Sequence, residues 1–192
     1  YDLSTPITGD VTLYPVWEIN SYKVMFICGE DVVNPPSEIT LDYGSTIPPQ
    51  NATKTGFRLN GWSTKEDGSE LYDFSTPVTG PVALYPVWVK TCTITYVCGE
   101  DVVDAPEGIT VDINTVVEAP EDPSKTGYTF KGWKASLDSK DFFSFGSITS
   151  DVTLYPVWEI NSYKVTFICG EDVVSPPSEI SVDHGSTIPP QD

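Results

Sequence analysis

One histidine, one methionine and ten basic residues among 192 positions withhold the raw material of several kinds of chemistry. With a single imidazole, His184, and no Cys-x-x-Cys pair, a zinc site has no ligand set. No Ser–His–Asp arrangement, nucleophile elbow, phosphate-cradling glycine loop or dinucleotide fingerprint occurs, so the reading is non-enzymatic, with no catalytic residue and no cofactor. Acidic residues outnumber basic ones 28 to 10, for a formal charge of −18. Such a surface repels phosphate backbones and anionic headgroups, which makes nucleic acid and membrane surfaces poor partners. No apolar run approaches the ~18 residues that a membrane-spanning helix needs. No stretch of ten or more residues shows a 3.6-residue apolar period, so long helices are also excluded.

What the chain does contain is a repeat. Asp-Val-Thr-Leu-Tyr-Pro-Val-Trp at 10–17 returns as Pro-Val-Ala-Leu-Tyr-Pro-Val-Trp at 81–88 and unchanged at 151–158. Trp17, Trp88 and Trp158 close the three copies, while Trp62 and Trp133 each follow a glycine. All five tryptophans thus belong to one pattern with a period of roughly 70 residues. Residues 18–50 and 159–191 are nearly identical, and 89–120 is a divergent copy. The expected partition is a repeat fragment at 1–17, a full type A repeat at 18–88, a full type B repeat at 89–158 and the opening of another type A repeat at 159–192. The chain reads as a window on a longer A-B-A-B array, in which no signal peptide would be visible. A unit this small is only modestly stable alone and gains from large buried aromatics and from contacts with its neighbours.

Within repeat A, Tyr22–Cys28 is rich in β-branched and aromatic residues and reads as a buried strand. Ile39–Tyr43 alternates as a half-buried strand does, and Phe57–Trp62 and Val82–Trp88 supply two more. Pro86 has no N–H, which predicts a sheet edge or a bulge for the last of these. Between Glu121 and Gly127 of repeat B, one short helical turn is permitted. The fold class is therefore mainly β, with about four strands per module. Trp17, Trp62, Trp88, Trp133, Trp158, Tyr85 and Tyr155 are its expected core.

Gly127-Tyr-Thr-Phe-Lys-Gly-Trp133, Tyr72-Asp-Phe-Ser-Thr-Pro-Val-Thr-Gly80, and Leu84-Tyr85 with Trp88 resemble the Listeria–Bacteroides repeat, the B-repeat of internalin-type surface proteins. The resemblance extends over both full repeats and both fragments. It implies compact β-grasp-like modules strung in series on secreted or wall-attached bacterial proteins. The family usually has Asn-Gly-Gly where this chain has Cys28-Gly29-Glu30, and alanine where it has Pro86. The cysteines therefore take no role from the family.

Cys28, Cys98 and Cys169 share one place in the repeat, and Cys92 is extra. Cys92 and Cys98 lie six residues apart on one strand, roughly 20 Å at about 3.3 Å per residue, too far to bridge. Three alternatives stay open: a Cys28–Cys92 bridge locking the A–B joint, bridges between chains through Cys98 or Cys169, or free thiols acting as small apolar residues. The Gly-Glu-Asp turns at 29–31, 99–101 and 170–172 could contribute to a calcium site but lack the alternating aspartates of an EF-hand, so a solvated turn that keeps the strand end from pairing with strangers is the favoured reading. An intramolecular isopeptide through Lys23 or Lys164 would need a buried lysine, and Thr93 stands at that place in type B. His184 stands where repeat A has Tyr43, so its role is read as structural.

These readings converge on a stalk or fibre spacer of a secreted or cell-surface bacterial protein. The modules stack head to tail into an elongated rod of about 30 Å per unit, with stiff joints because no Gly/Ser linker separates them. Its partners are neighbouring repeats and other copies in a fibre. The alternatives are an adhesin repeat that engages a host protein or glycan through an exposed apolar patch, and a self-assembling extracellular filament whose open sheet edges pair with neighbours.

Overall fold

A computed structural model describes residues 2–172 and 177–190. Among them are nine strands and no helix: β1 (Ser21–Phe26), β2 (Ile39–Asp42), β3 (Phe57–Ser63), β4 (Val82–Tyr96), β5 (Ile109–Asp112), β6 (Tyr128–Lys134), β7 (Val152–Ile160), β8 (Ser162–Val165) and β9 (Ile180–Asp183). The chain divides into two compact units, residues 1–89 and 90–192.

In the first unit β2 pairs antiparallel with β1, from Ser21↔Asp42 to Val24↔Ile39. β1 pairs parallel with the start of β4, Val24↔Val82 to Phe26↔Leu84, and β3 pairs with β4 as well. In the second unit β5 takes the place of β2, the end of β4 that of β1, β7 that of β4 and β6 that of β3. Alternation sets the inner face: Val24 and Phe26 point inward while Met25 points out, and Leu84 is fully buried between half-exposed Ala83 and Tyr85. The first core gathers Val24, Ile47, Ala52, Trp62, Val78 and Leu84, and the second Cys92, Ile94, Trp133, Ile148 and Leu154.

Two expectations change. The short helical turn between Glu121 and Gly127 does not form. Instead Ser124 and Val103 exchange backbone hydrogen bonds, both 2.9 Å, as Thr53 and Val33 do in the first unit at 3.1 and 2.7 Å. Pro120 before this stretch and Pro123 within it favour extended backbone, and the bridge satisfies groups that a helical turn would otherwise use. Pro156, the counterpart of Pro86, does not lie on an edge strand, because β7 runs between β4 and β6. The strand tolerates it by changing neighbours along its length. Residues 152–154 pair with β4, and residues 155–160 pair with β6, where Pro156 faces Trp133. The bulge lies in the facing strand, between Phe130 and Gly132.

Trp62 and Trp133 are 1% and 3% exposed. The Trp62 indole N–H donates to the Gln50 carbonyl at 3.1 Å, so its one polar atom is satisfied inside the core. Phe26 and Tyr96 meet these indoles edge-on at 5.1 and 4.9 Å. Trp88 and Trp158 are half-buried at the core margin, Trp158 against Phe130 at 5.5 Å, and Tyr85 and Tyr155 are half-buried on the other side of their strand. Trp17, expected in the core, is 86% exposed.

Candidate functional site

Of the residues singled out by sequence, those brought together most closely form a joint inside the second unit, between repeat B and the half-repeat that follows it. β7 ends at Ile160 and β8 begins at Ser162, with Asn161 between them. The Asn161 amide donates to the Gly127 carbonyl at 2.8 Å, and the Asn161 carbonyl accepts from the His184 amide at 2.8 Å. The Asn161 side-chain oxygen accepts from Thr129 Oγ1 at 2.6 Å. One asparagine thus ties the Lys-Thr-Gly turn of repeat B and β6 to the turn after β9. The His184 ring closes over Gly127, where any Cβ would fall inside it, and lies 6.0 Å from the Tyr163 ring. Gly127 is therefore required both by its φ of +79° and by this close approach.

Beside the joint, Lys125 Nζ sits 4.9 Å over the Tyr128 ring and 3.9 Å from Asp101. The first unit repeats the arrangement, with Lys54 Nζ 4.8 Å over Phe57 and 2.7 Å from Asp31. In these two repeats the aspartate of the Gly-Glu-Asp turn thus anchors the Lys-Thr-Gly turn. The hydrogen bond from Lys54 and the backbone amide of Asp31 hold its carboxyl below the ordinary aspartate value. Sequence reading missed this pairing; the signal available was that Gly-Glu-Asp and Lys-Thr-Gly recur together in both repeats. Among the described residues no group of three or more His, Cys, Asp or Glu converges as a metal site would require.

The cysteines carry free thiols. Cys28 packs half-buried against the first core, Cys92 is buried in the second, Cys98 lies at the second core's margin and Cys169 is exposed. Cys28 and Cys92 thus each pack against the core of a different unit. Burial raises the thiol pKa of Cys28 and Cys98, which suppresses the reactive thiolate. Lys23 and Lys164 point into solvent against Glu38 (2.6 Å) and Glu179 (2.8 Å), not into a core where an isopeptide could form. An open depression of about 360 Å³ lies beside Gly132 and Trp133, with Phe142 and Lys131 at its wall. It reflects Phe142 folding over Gly132, as Leu71 folds over Gly61 in the first unit.

Comparison with known proteins places this geometry in context. The Listeria-Bacteroides repeat domain matches residues 22–87 and again residues 93–157. A protein of Evansella cellulosilytica described as a Gly-rich membrane protein is 31% identical over 96% of this chain and 21% of its own length. A second protein of that organism, described as a membrane protein, is 32% identical over 84% of the chain and 24% of its own length. Internalin H of Listeria monocytogenes is 28% identical over 82% of the chain and 28% of its own length. The chain thus spans between a fifth and just over a quarter of each of these relatives. No helix among the described residues is long and apolar enough to cross a membrane.

Proposed function

Because this chain belongs to the Listeria-Bacteroides repeat family, we propose that it is a non-catalytic spacer, a run of small β modules that holds some other part of a bacterial surface protein at a distance from its anchor. The observation that carries the reading is the Asn161 joint. One asparagine there makes three hydrogen bonds and a histidine closes over a glycine, so that a repeat is tied to its successor without a flexible linker. Repeats tethered to their neighbours in this way draw stability from the interfaces between them and extend in one dimension. The order β2-β1-β4-β3, with a parallel central pair, supports a β-grasp-like module in which the extended stretch between β2 and β3 takes the place of the usual helix. We read 18–88 and 89–158 as two such modules, flanked by parts of two others, 1–17 and 159–192, and stacked head to tail as a rod. Relatives described as membrane proteins, together with an internalin, support an extracellular, surface-attached location.

Small-angle X-ray scattering of the 192-residue chain tests the rod. The reading expects a pair-distance distribution with one early maximum, set by the module's thickness, and a long tail. A symmetric distribution typical of a globule would refute it.

A further inference from the structure

Trp62 and Trp133 hold the same place in successive repeats, yet their indole N–H groups differ. Trp62 Nε1–H donates to the Gln50 carbonyl at 3.1 Å, whereas no described group accepts from Trp133 Nε1–H. Trp133 is 3% exposed, and among the described residues no fully buried side-chain nitrogen or oxygen lacks a hydrogen-bond partner. Trp133 Nε1 therefore reaches solvent, and its opening is the depression of about 360 Å³ that the indole lines. An indole donor so deep in a core is ordinarily paired. The difference lies in the loop beside it. Backbone bridges fix both ends of that loop: Thr46↔Pro77 and Val33↔Thr53 in the first unit, Val116↔Ser147 and Val103↔Ser124 in the second. Six residues, 47–52, lie between these anchors in repeat A, and seven, 117–123, in repeat B. In repeat A, Pro48-Pro49-Gln50 lays a carbonyl on the indole. In repeat B, the longer loop lines the depression through Ala119 and Asp122 and leaves the N–H uncovered.

Lys131, Phe142 and Phe145 complete the lining, so the site is built wholly within repeat B. Phe142 is 52% exposed. Lys131 is committed to Glu159 at 3.0 Å, while Asp122 makes no ion pair with any described residue. Asp122 is thus the charge that a ligand meets. We propose that this depression is a peptide-docking site, and that its occupant is an extended, proline-containing segment of a partner protein. One carbonyl of that segment accepts from Trp133 Nε1–H, and a lysine or arginine next to it pairs with Asp122. The first unit supplies the template, because there the indole is met by the carbonyl that follows two prolines. Proline-rich segments are already extended when free and dock on aromatic-lined grooves at little ordering cost. Phe142 offers a ring surface for a prolyl ring, and the Asp122 carboxylate a charge-assisted hydrogen bond for the basic side chain. The formal charge of −18 draws the same kind of ligand. The inference goes beyond the spacer reading and does not depend on it, since a module can hold a peptide inside a rod or outside one.

Titration of the nitrogen-15-labelled 192-residue protein with the peptide acetyl-Ile-Pro-Pro-Gln-Lys-amide tests the proposal, read at the indole N–H resonances of the five tryptophans. Before peptide is added, the Trp133 N–H should exchange with water faster than the Trp62 N–H. With peptide, the Trp133 proton resonance should move downfield and its exchange should slow, while Trp62 is unaffected. Glutamate in place of the peptide's lysine, and Asp122→Asn or Phe142→Ala in the protein, should each weaken binding at least about fivefold. Asp122 and Phe142 are both exposed, outside the buried core, so these variants fold as the parent does. Three results overturn the proposal: a Trp133 resonance that peptide does not move, a response that every substitution leaves unchanged, or a response to an N-acetylglucosamine oligomer in place of the peptide.

Discussion

Gly56 and Gly127 hold the same place in successive repeats and the same left-handed backbone, φ +75° and +79°, yet a Cβ would meet nothing at Gly56 and the His184 ring at Gly127. Alanine at Gly56 should therefore cost only the conformational penalty, roughly 1–2 kcal/mol. Alanine at Gly127 should cost at least about 1 kcal/mol more, because the ring must move. Hydrogen exchange at the Asn161 amide, which donates to Gly127, should accelerate only in Gly127→Ala, and His184→Ala in the same chain should narrow the difference between the two glycine sites. Equal costs at both positions would remove the joint contact from the account. The tryptophans divide in the same way. Trp133→Ala should lose about 3–5 kcal/mol, as expected for a large buried aromatic, whereas Trp17→Ala, at an exposed site, should stay within about 0.5 kcal/mol. Urea unfolding followed by far-ultraviolet circular dichroism separates the two cases.

Elements were legible where local pattern decided them. The β-branched and aromatic content of Tyr22–Cys28 and the alternation of Ile39–Tyr43 placed β1 and β2 to within two residues. Leu71 folds over Gly61 and Phe142 over Gly132, close approaches that a glycine ahead of each tryptophan permits. What was illegible depended on partners distant in sequence. Pro86 suggested an edge or a bulge, because sequence does not reveal that a strand can exchange one neighbour for another halfway along. The tie from Asp31 to Lys54 crosses 23 positions and two proline-rich loops. That tie has a pH signature. The Asp31 carboxyl in the folded chain titrates below the ordinary 3.8. Its contribution is therefore complete above that value and is withdrawn as pH falls through the lower folded one. The carboxylate is exposed, so the effect on stability is small and the titration itself is the better readout. By carbon-detected NMR, Lys54→Met should move the Asp31 midpoint upward, and a midpoint that stays put would dissolve the anchor.

For the whole molecule, charge is the dominant fact. With 28 acidic and 10 basic residues, self-repulsion opposes the compact state, and salt relieves it. The melting temperature should climb as sodium chloride is raised from low to physiological concentration. Calcium and magnesium at matched ionic strength should give the same melting temperature as each other. A rise specific to calcium would reveal a site built from the Gly-Glu-Asp turns after all.

The parallel pairing of the first and last strands of each module carries a mechanical corollary. Tension enters the first module at the start of β1 and leaves it partway along β4, just past Trp88. Because the two strands point the same way and lie side by side, that pull drags them lengthwise past each other and loads all their hydrogen bonds at once instead of peeling them singly. In the second unit β4 and β7 stand in the same relation. Each module is thereby wired to resist stretching along the chain more strongly than its modest size would suggest.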